Sequence, residues 1–234
     1  GGYGAMPGLT TFSTSLSAQC QGAFAALDKL GAVHLYAGEG NALYRFANTT
    51  PTGASLAGGY NLATDQQWEF TVWGERVLAS NINDPLQGIQ MGNTSFSSVV
   101  TSTLKPQARH IAVVGDFVVL GNTKEGSTIT PNRVRWSALG DLADFDSAAA
   151  TQAGYQDLQG PGDWVQSVVG GEFGLIFRDH SITRMTYVNS PLIFQFDEVE
   201  RNRGVWAPYS TISHGRFTFF IADDGFYVWD GAEA

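Results

Sequence analysis

Sulfur chemistry is almost missing from this 234-residue chain, which holds one cysteine, Cys20. A single cysteine excludes an intrachain disulfide framework. The neighbours of Cys20 are small or polar and form no partner motif, so an inert, partly buried thiol is expected. Basic residues are also scarce: 13 Lys and Arg stand against 22 Asp and Glu, for a net charge of −9. A groove for nucleic acid needs clustered cations along one face. Only Arg133 with Arg135, and Arg201 with Arg203, come close together. Alternation puts Arg133 and Arg135 on one face of a strand, which reads as a salt-bridged or interface face. Sequence-specific nucleic-acid binding is therefore not expected, while a negative surface suits a conduit that DNA passes without sticking, as it suits any soluble acidic protein.

Long apolar runs are lacking too. No stretch reaches the length of a membrane-spanning helix, and the first residues lack the basic-then-apolar order of a signal peptide. A soluble chain, made in a cytoplasm and not inserted in a membrane, is the expectation. The Ala-rich segments 22–27 and 147–153 do not sustain a helical period over three turns. With 28 glycines, 12% aromatic residues and only 15% charged residues, the composition is that of many short strands joined by tight turns.

What the chain does contain is a repeat. Five times a short apolar run meets a glycine turn and is answered by a second apolar run: ALDKLGAVHLYAG, TVWGERVLAS, AVVGDFVVLGN, SVVGGEFGLIF and TISHGRFTFFIA. The glycines are Gly31, Gly74, Gly115, Gly171 and Gly215, spaced 43, 41, 56 and 44 residues apart. A degenerate hairpin at this period is the signature of a β-propeller blade. In three units an Asn/Asp/His/Gly turn feeds a further aromatic-rich strand (GNALYRF, DHSITRMTY, DGFYVWDG), as in a meander. The expected fold is all-β: a propeller of four-stranded or incomplete meander blades, with about five units visible.

In detail, strands are expected at 23–27, 33–37 and 42–46 in the first unit, and at 68–73, 76–80 and 88–91 in the second. The third holds 110–114, 117–121 and 131–139. The fourth holds 165–169, 173–177, 181–187 and 192–199, and the last 209–213, 217–222 and 226–230. Residues 1–18 read as an arm or linker with a strand at 9–16, and 19–234 as the propeller domain. The stretches 121–132 and 138–163 read as long loops, the places where a compact β scaffold meets partners. A ring must close to hide its sheet edges. Five units followed by a stop directly after a strand, and a start at Gly-Gly, are read as a piece of a larger ring.

Candidate chemistry is thin. The Trp229–Asp230 dipeptide occurs once, without the upstream Gly-His pair of a WD repeat. IADDGFYVW nearly matches an Asp-box turn, yet Ile221 stands where Ser or Thr belongs, and Trp229 falls one position late, which turns it to the opposite face. The acidic groups are Asp144 with Asp146, Asp197 with Glu198 and Glu200, and Asp223 with Asp224. None is specified as the paired acid and base of a glycosidase, and the aspartates of GDLADFD lack a calcium-loop pattern. The histidines His34, His110, His180 and His214 never approach ligand spacing. No nucleophile elbow, P-loop or dinucleotide fingerprint is present. Trp68, Trp73, Trp136, Trp164, Trp206 and Trp229 recur about once per unit, which marks packing between blades. No catalytic, cofactor or metal residue is assigned, and no enzyme is expected.

The segments RHIAVVGDFVVLGN, PNRVRWSALGD, YQDLQGPGDWVQSVVGGEFGLIFRDHSITRMTYVNSPLIFQFDEVERNRG and FFIADDGFYVWDG, with GAFAALDKLGAVHLYAGEGNALYRF and WEFTVWGERVLASNINDPLQ before them, resemble one family. It is the β-propeller tail tubular or nozzle-type protein of short-tailed bacteriophages, and the likeness covers most of 19–231. The resemblance implies a structural virion protein, commonly six copies in a ring around the DNA channel below the head-to-tail connector. Its implied partners are itself as a hexamer, the connector or adaptor, the tail fibre proteins and passing DNA. Members of the family are longer than this chain, and they supply no catalytic residues. The rival expectation is a glycan-binding or carbohydrate-active propeller using the aromatic and acidic residues.

Overall fold

A computed structural model of the chain, describing residues 11–53, 59–160 and 164–230, holds nineteen strands in five antiparallel sheets. Blade 1 is β1 (Gly22–Leu27), β2 (Val33–Gly38), β3 (Leu43–Ala47) and β4 (Thr50–Gly53). Blade 2 is β5 (Glu69–Trp73), β6 (Arg76–Ser80), β7 (Gln87–Gln90) and β8 (Ser97–Ser98). Blade 3 is β9 (Gln107–Val114), β10 (Phe117–Glu125), β11 (Thr128–Trp136) and β12 (Gly154–Asp157). Blade 4 is β13 (Val165–Val169), β14 (Gly174–Arg178), β15 (Ile182–Asn189) and β16 (Ile193–Glu200). Blade 5 is β17 (Ile212–His214), β18 (Phe217–Ala222) and β19 (Gly225–Trp229). Each sheet is a meander whose strands pair in chain order. The expected propeller of five units is what the chain forms, with four blades four-stranded and the fifth three-stranded among the described residues.

The glycine turns explain why the hairpins close where they do. In blades 2, 3 and 5 the loops are two residues long, with Trp73 opposite Arg76, Val114 opposite Phe117 and His214 opposite Phe217. Gly74, Gly115 and Gly215 take φ of 57°, 54° and 61°, whereas the residues after them keep negative φ. A positive φ at the first loop position alone is the type II′ turn, whose twist matches the flanking strands. Neighbouring turns are stitched together. The Lys29 N–H donates to Glu75 Oε1 at 2.9 Å, and the Gly115 N–H donates to the Gly171 carbonyl at 2.8 Å.

First strands of consecutive blades are neighbours, β1 with β5, β5 with β9 and β9 with β13, so they line the axis. The apolar side chains between blades form four buried clusters. Tyr36 and Leu43 meet Trp68, Val77 and Ile89 between blades 1 and 2. Leu78 and Leu86 meet Ile111, Val118 and Leu120 between blades 2 and 3. Phe117, Val119 and Trp136 meet Val168, Ile176 and Phe194 between blades 3 and 4. Leu175, Phe177 and Ile182 meet Phe220 and Trp229 between blades 4 and 5. Among the described residues no cluster joins blade 5 to blade 1.

Several expectations change. Residues 11–16 form no strand, and 9–10 lie outside the described residues. Residues 14–18 instead run along blade 1: the Thr14 N–H donates to the Thr49 carbonyl at 3.3 Å, and Ser17 Oγ and the Ala18 N–H donate to the Glu39 carboxylate at 2.7 and 2.8 Å. The expected loop 121–132 is a long hairpin, because Thr123, Lys124 and Glu125 pair with Thr130, Ile129 and Thr128 across a turn at Gly126. A bulge at Asn122, with φ of 55°, absorbs the change of register. The second long loop contains β12, which pairs with Arg133–Trp136; β12 is therefore the fourth strand of blade 3. The strand expected at 209–213 begins only at Ile212, because Tyr209 adopts a positive φ of 62°. Cys20 is exposed rather than partly buried.

Candidate functional site

The residues that converge on the axis come from equivalent places in the repeat. Counting back from the turn glycine, the fifth residue is Glu69 in blade 2, His110 in blade 3 and Ser210 in blade 5. The sixth is Trp68, Arg109 and Tyr209. Glu69 Oε2 lies 3.2 Å from His110 Nδ1 and accepts the Ile111 N–H at 2.8 Å. His110 is 1% exposed, and its ring packs on Tyr209 with centroids 4.9 Å apart. Burial, helped by the Glu69 charge and opposed by Arg109, pushes the Tyr209 phenol up to about 12, so it stays protonated. On the next side of the axis the Ser167 and Thr211 hydroxyls bond each other. Gly22, Phe24, Trp68, Glu69 and Tyr209 wall a cavity of about 250 Å³ at this point.

Chemically this is a carboxylate, an imidazole and a neutral phenol in series. The far nitrogen of the imidazole, Nε2, is buried with no hydrogen-bond partner. A carboxylate-oriented imidazole activates a nucleophile only when a hydroxyl or thiol is held by its free nitrogen, and the axial hydroxyls are engaged with one another. The cluster therefore ties blades 2, 3 and 5 at the axis. Scattered histidines concealed it in the sequence; the signal that joins Glu69 to His110 is their shared place five residues before the glycine.

The other groups singled out in the sequence have structural positions. Asp146 accepts the Thr103 and Leu104 N–H groups at 3.0 and 2.8 Å, and these bonds, Leu104's first, hold its carboxyl below the usual range. Asp144 accepts the Asp146 N–H at 2.9 Å, so the pair anchors the 138–160 excursion. Glu198 pairs with Arg178 and Arg201 at 3.4 and 2.9 Å, while Asp197 accepts from Gln195. Asp224 accepts the Tyr227 hydroxyl at 2.8 Å. His34 sits 3.0 Å from Asp28 in the first turn. His180 and His214 are exposed. Arg133 and Arg135 do share a salt-bridged face. Arg133 reaches Asp157 and Glu125 at 2.6 and 3.0 Å, and Arg135 reaches Glu125 at 2.6 Å. Both guanidinium groups also stack on Tyr155. Trp68, Trp136 and Trp229 are buried between blades, whereas Trp164 and Trp206 are exposed.

A larger cavity, about 570 Å³, opens between blades 4 and 5 beside the turns at Gly171 and Gly215. Arg184 lines it, with its guanidinium 4.4 Å above the Phe173 ring and its Nε without an acceptor. Trp229 Nε1, also in this wall, lacks an acceptor as well. Glu172, Arg216 and Asp230 complete a wall of mixed charge.

No family model and no curated protein matches this chain. Solved structures do match it. The extracellular domain of a one-component system of B. thetaiotaomicron aligns with a TM-score of 0.61 at 10% identity, over 94% of this chain and 28% of that one. BamB of Moraxella catarrhalis aligns with a TM-score of 0.51 at 12% identity, over 84% of this chain and 53% of that one. The chain thus spans 28% and 53% of the lengths of these two neighbours. At such identities the likeness carries architecture alone, and that architecture agrees with the blades, turns and axial strands: this chain has the β-propeller fold.

Proposed function

We propose that this chain is a non-catalytic structural component of the tail of a short-tailed bacteriophage, assembling with further copies of itself around the DNA channel. Its partners there are the connector or adaptor and the tail fibre proteins. The reading rests on the sequence resemblance, and one structural observation supports it: the phrases that carry the resemblance are joints of the scaffold. In VRWSALGD, Arg135 donates to the Phe145 carbonyl at 3.0 Å and Trp136 Nε1 to the Gln152 carbonyl at 2.8 Å. Those bonds fasten β11 to the long excursion that follows it. In FQFDEVERNRG, β16 closes blade 4, and Gly204 presses so tightly on Arg178 that an added Cβ would lie 1.9 Å from its carbonyl oxygen. Such joints serve the shape of the scaffold. The net charge of −9 and the pairing of Arg133, Arg135 and Arg201 with carboxylates suit a wall past which DNA moves without being held.

Immunogold labelling of purified phage particles with antibody against residues 11–230 tests this reading. Gold at the tail supports it; particles that contain the chain nowhere in the tail overturn it. A glycan array on the same protein tests the carbohydrate reading, and selective glycan retention would replace the structural proposal with that one.

A further inference from the structure

Two hydrogen-bond donors without acceptors share the cavity of about 570 Å³ between blades 4 and 5. Sheet register explains how they come to face one another. Arg184 on β15 stands opposite Leu175, and Trp229 on β19 stands opposite Thr218. Leu175 and Trp229 belong to the apolar cluster that joins the two blades, and all four residues line the cavity. Trp229 is 2% exposed, and its Nε1 is buried with no acceptor. Arg184 Nε is buried and unmet in the same way. The carboxylate directly across the sheet from Arg184, that of Asp197, is engaged elsewhere, because Gln195 Nε2 donates to both of its oxygens at 2.8 and 2.9 Å. Arg133, Arg135 and Arg178 each reach a carboxylate. Arg184 has none among the described residues, and its guanidinium rests on the Phe173 ring instead. Buried donors without acceptors are uncommon in folded proteins, and here two of them line one opening.

The chemistry of the wall sets the class of ligand. Guanidinium and indole N–H groups donate and never accept, so an acceptor completes them. The guanidinium fork matches the two oxygens of a carboxylate. Glu172 and Asp230 offset Arg184 and Arg216 in the same wall, which leaves no surplus of positive charge for a dianion such as phosphate. Val169, Phe173 and Leu175 offer apolar surface beside the donors, and the volume falls in the range of about 300–1,000 Å³ that takes small molecules. We propose that this cavity binds a small organic acid, its carboxylate received by Arg184 and Trp229 Nε1 and its apolar body lodged against Val169, Phe173 and Leu175. Arg184 is tethered by the Phe173 ring alone, so its long side chain turns onto the guest with little to give up. The site lies between two blades of a single copy and is independent of the tail reading.

Titration of the isotope-labelled 234-residue protein with benzoate, phenylacetate and hexanoate, followed by nuclear magnetic resonance, tests the site. The readout is the indole N–H resonance of Trp229, identified by sequential assignment. At least one of the three acids should shift it saturably, while phenylacetamide, which lacks the charge, should leave it in place. Arg184→Gln should weaken the binding about tenfold or more, and Arg184→Lys takes its place if that variant misfolds. Arg216→Gln changes an exposed charge at the rim and should weaken binding by less than about threefold. A Trp229 resonance that none of the three acids shifts saturably overturns the inference. Equal losses from the Arg184 and Arg216 variants overturn it too, because binding would then be attraction to a charged rim. Phenylacetamide or phenyl phosphate binding more tightly than phenylacetate overturns the carboxylate class.

Discussion

The middle strands of the interior blades and those of the end blades are written in the same alphabet but live in different surroundings. Strand β14, GLIFR, is buried at all five positions, and β6, RVLAS, at four of five. Strand β18, FTFFIA, has three phenylalanines, yet its burial alternates along the strand, and β2, VHLYAG, is open at its first residue and buried only over its last three. A strand covered on both faces reads as a continuous apolar run, and one covered on a single face reads as an alternation. By that rule β18 has the sequence of an interior strand and the environment of an outer one. Burial here belongs to the neighbour that supplies the second face.

The largest effect should come from inside. Phe177 on β14 is fully buried and sits 5.3 Å, ring centre to ring centre, from Phe220 across the blade 4–5 interface. Phe177→Ala should cost about 3–5 kcal/mol in denaturant unfolding, through lost transfer energy and the cavity left behind. A loss below about 1 kcal/mol would show a yielding interface and break the distinction between interior and end blades.

A middle-sized effect is expected where backbone and aromatic ring meet between blades 1 and 2. A Cβ at Gly38 would lie 2.3 Å from Trp68 Cδ1, and Trp68 is held by a 3.0 Å hydrogen bond from its Nε1 to the Glu39 carbonyl. Gly38→Ala should therefore cost about 1–3 kcal/mol by overpacking, read as a lowered denaturation midpoint. Unchanged stability would mean that blade 1 rides loosely on blade 2 as well.

A smaller effect is tied to pH. Arg133 holds the Asp157 carboxyl below its ordinary range, chiefly through their hydrogen bond. A carboxyl with a depressed folded pKa stabilises the protein above its unfolded value, near 3.9, and that stabilisation is lost as pH falls through the folded value. Asp157 is 34% exposed in its side chain, so solvent screening limits the contribution to about 0.5–1 kcal/mol. Asp157→Asn should lower stability by that amount at pH 7 and flatten the loss of stability below about pH 4. An identical acid limb in both proteins would remove Asp157 as its source.

The repeat was legible because its signal is local. Glycine at a type II′ position between β-rich runs specifies a hairpin regardless of what surrounds it, and the expected strands 76–80 and 217–222 coincide with β6 and β18. Strands that depend on a partner far away were harder. Ser97–Ser98 and Gly154–Asp157 have no apolar alternation of their own, and pairing with β7 and β11 makes them strands. Asn122 concealed the extension of β10, because a bulge interrupts the period on which strand reading depends. The axial cluster was the least legible part. Glu69, His110 and Tyr209 are brought together by the curvature of the ring; in the chain, Glu69 and His110 share a place five residues before the turn glycine, and Tyr209 stands six before its own.

The smallest effect is the sharpest discriminator, because Phe219 and Phe220 are neighbours on one strand with the same side chain. Phe220 is 2% exposed and faces blade 4, while Phe219 is 45% exposed and faces away. Phe220→Ala should approach the cost of Phe177→Ala, and Phe219→Ala should cost no more than about 0.5 kcal/mol. The ratio is then set by the second face alone, since helix or strand propensity, side-chain volume and unfolded-state entropy are the same for both. Unfolding midpoints of the two variants, measured side by side, read this directly. A Phe219→Ala penalty as large as that of Phe220→Ala would break the contrast between the covered and the outward face of blade 5.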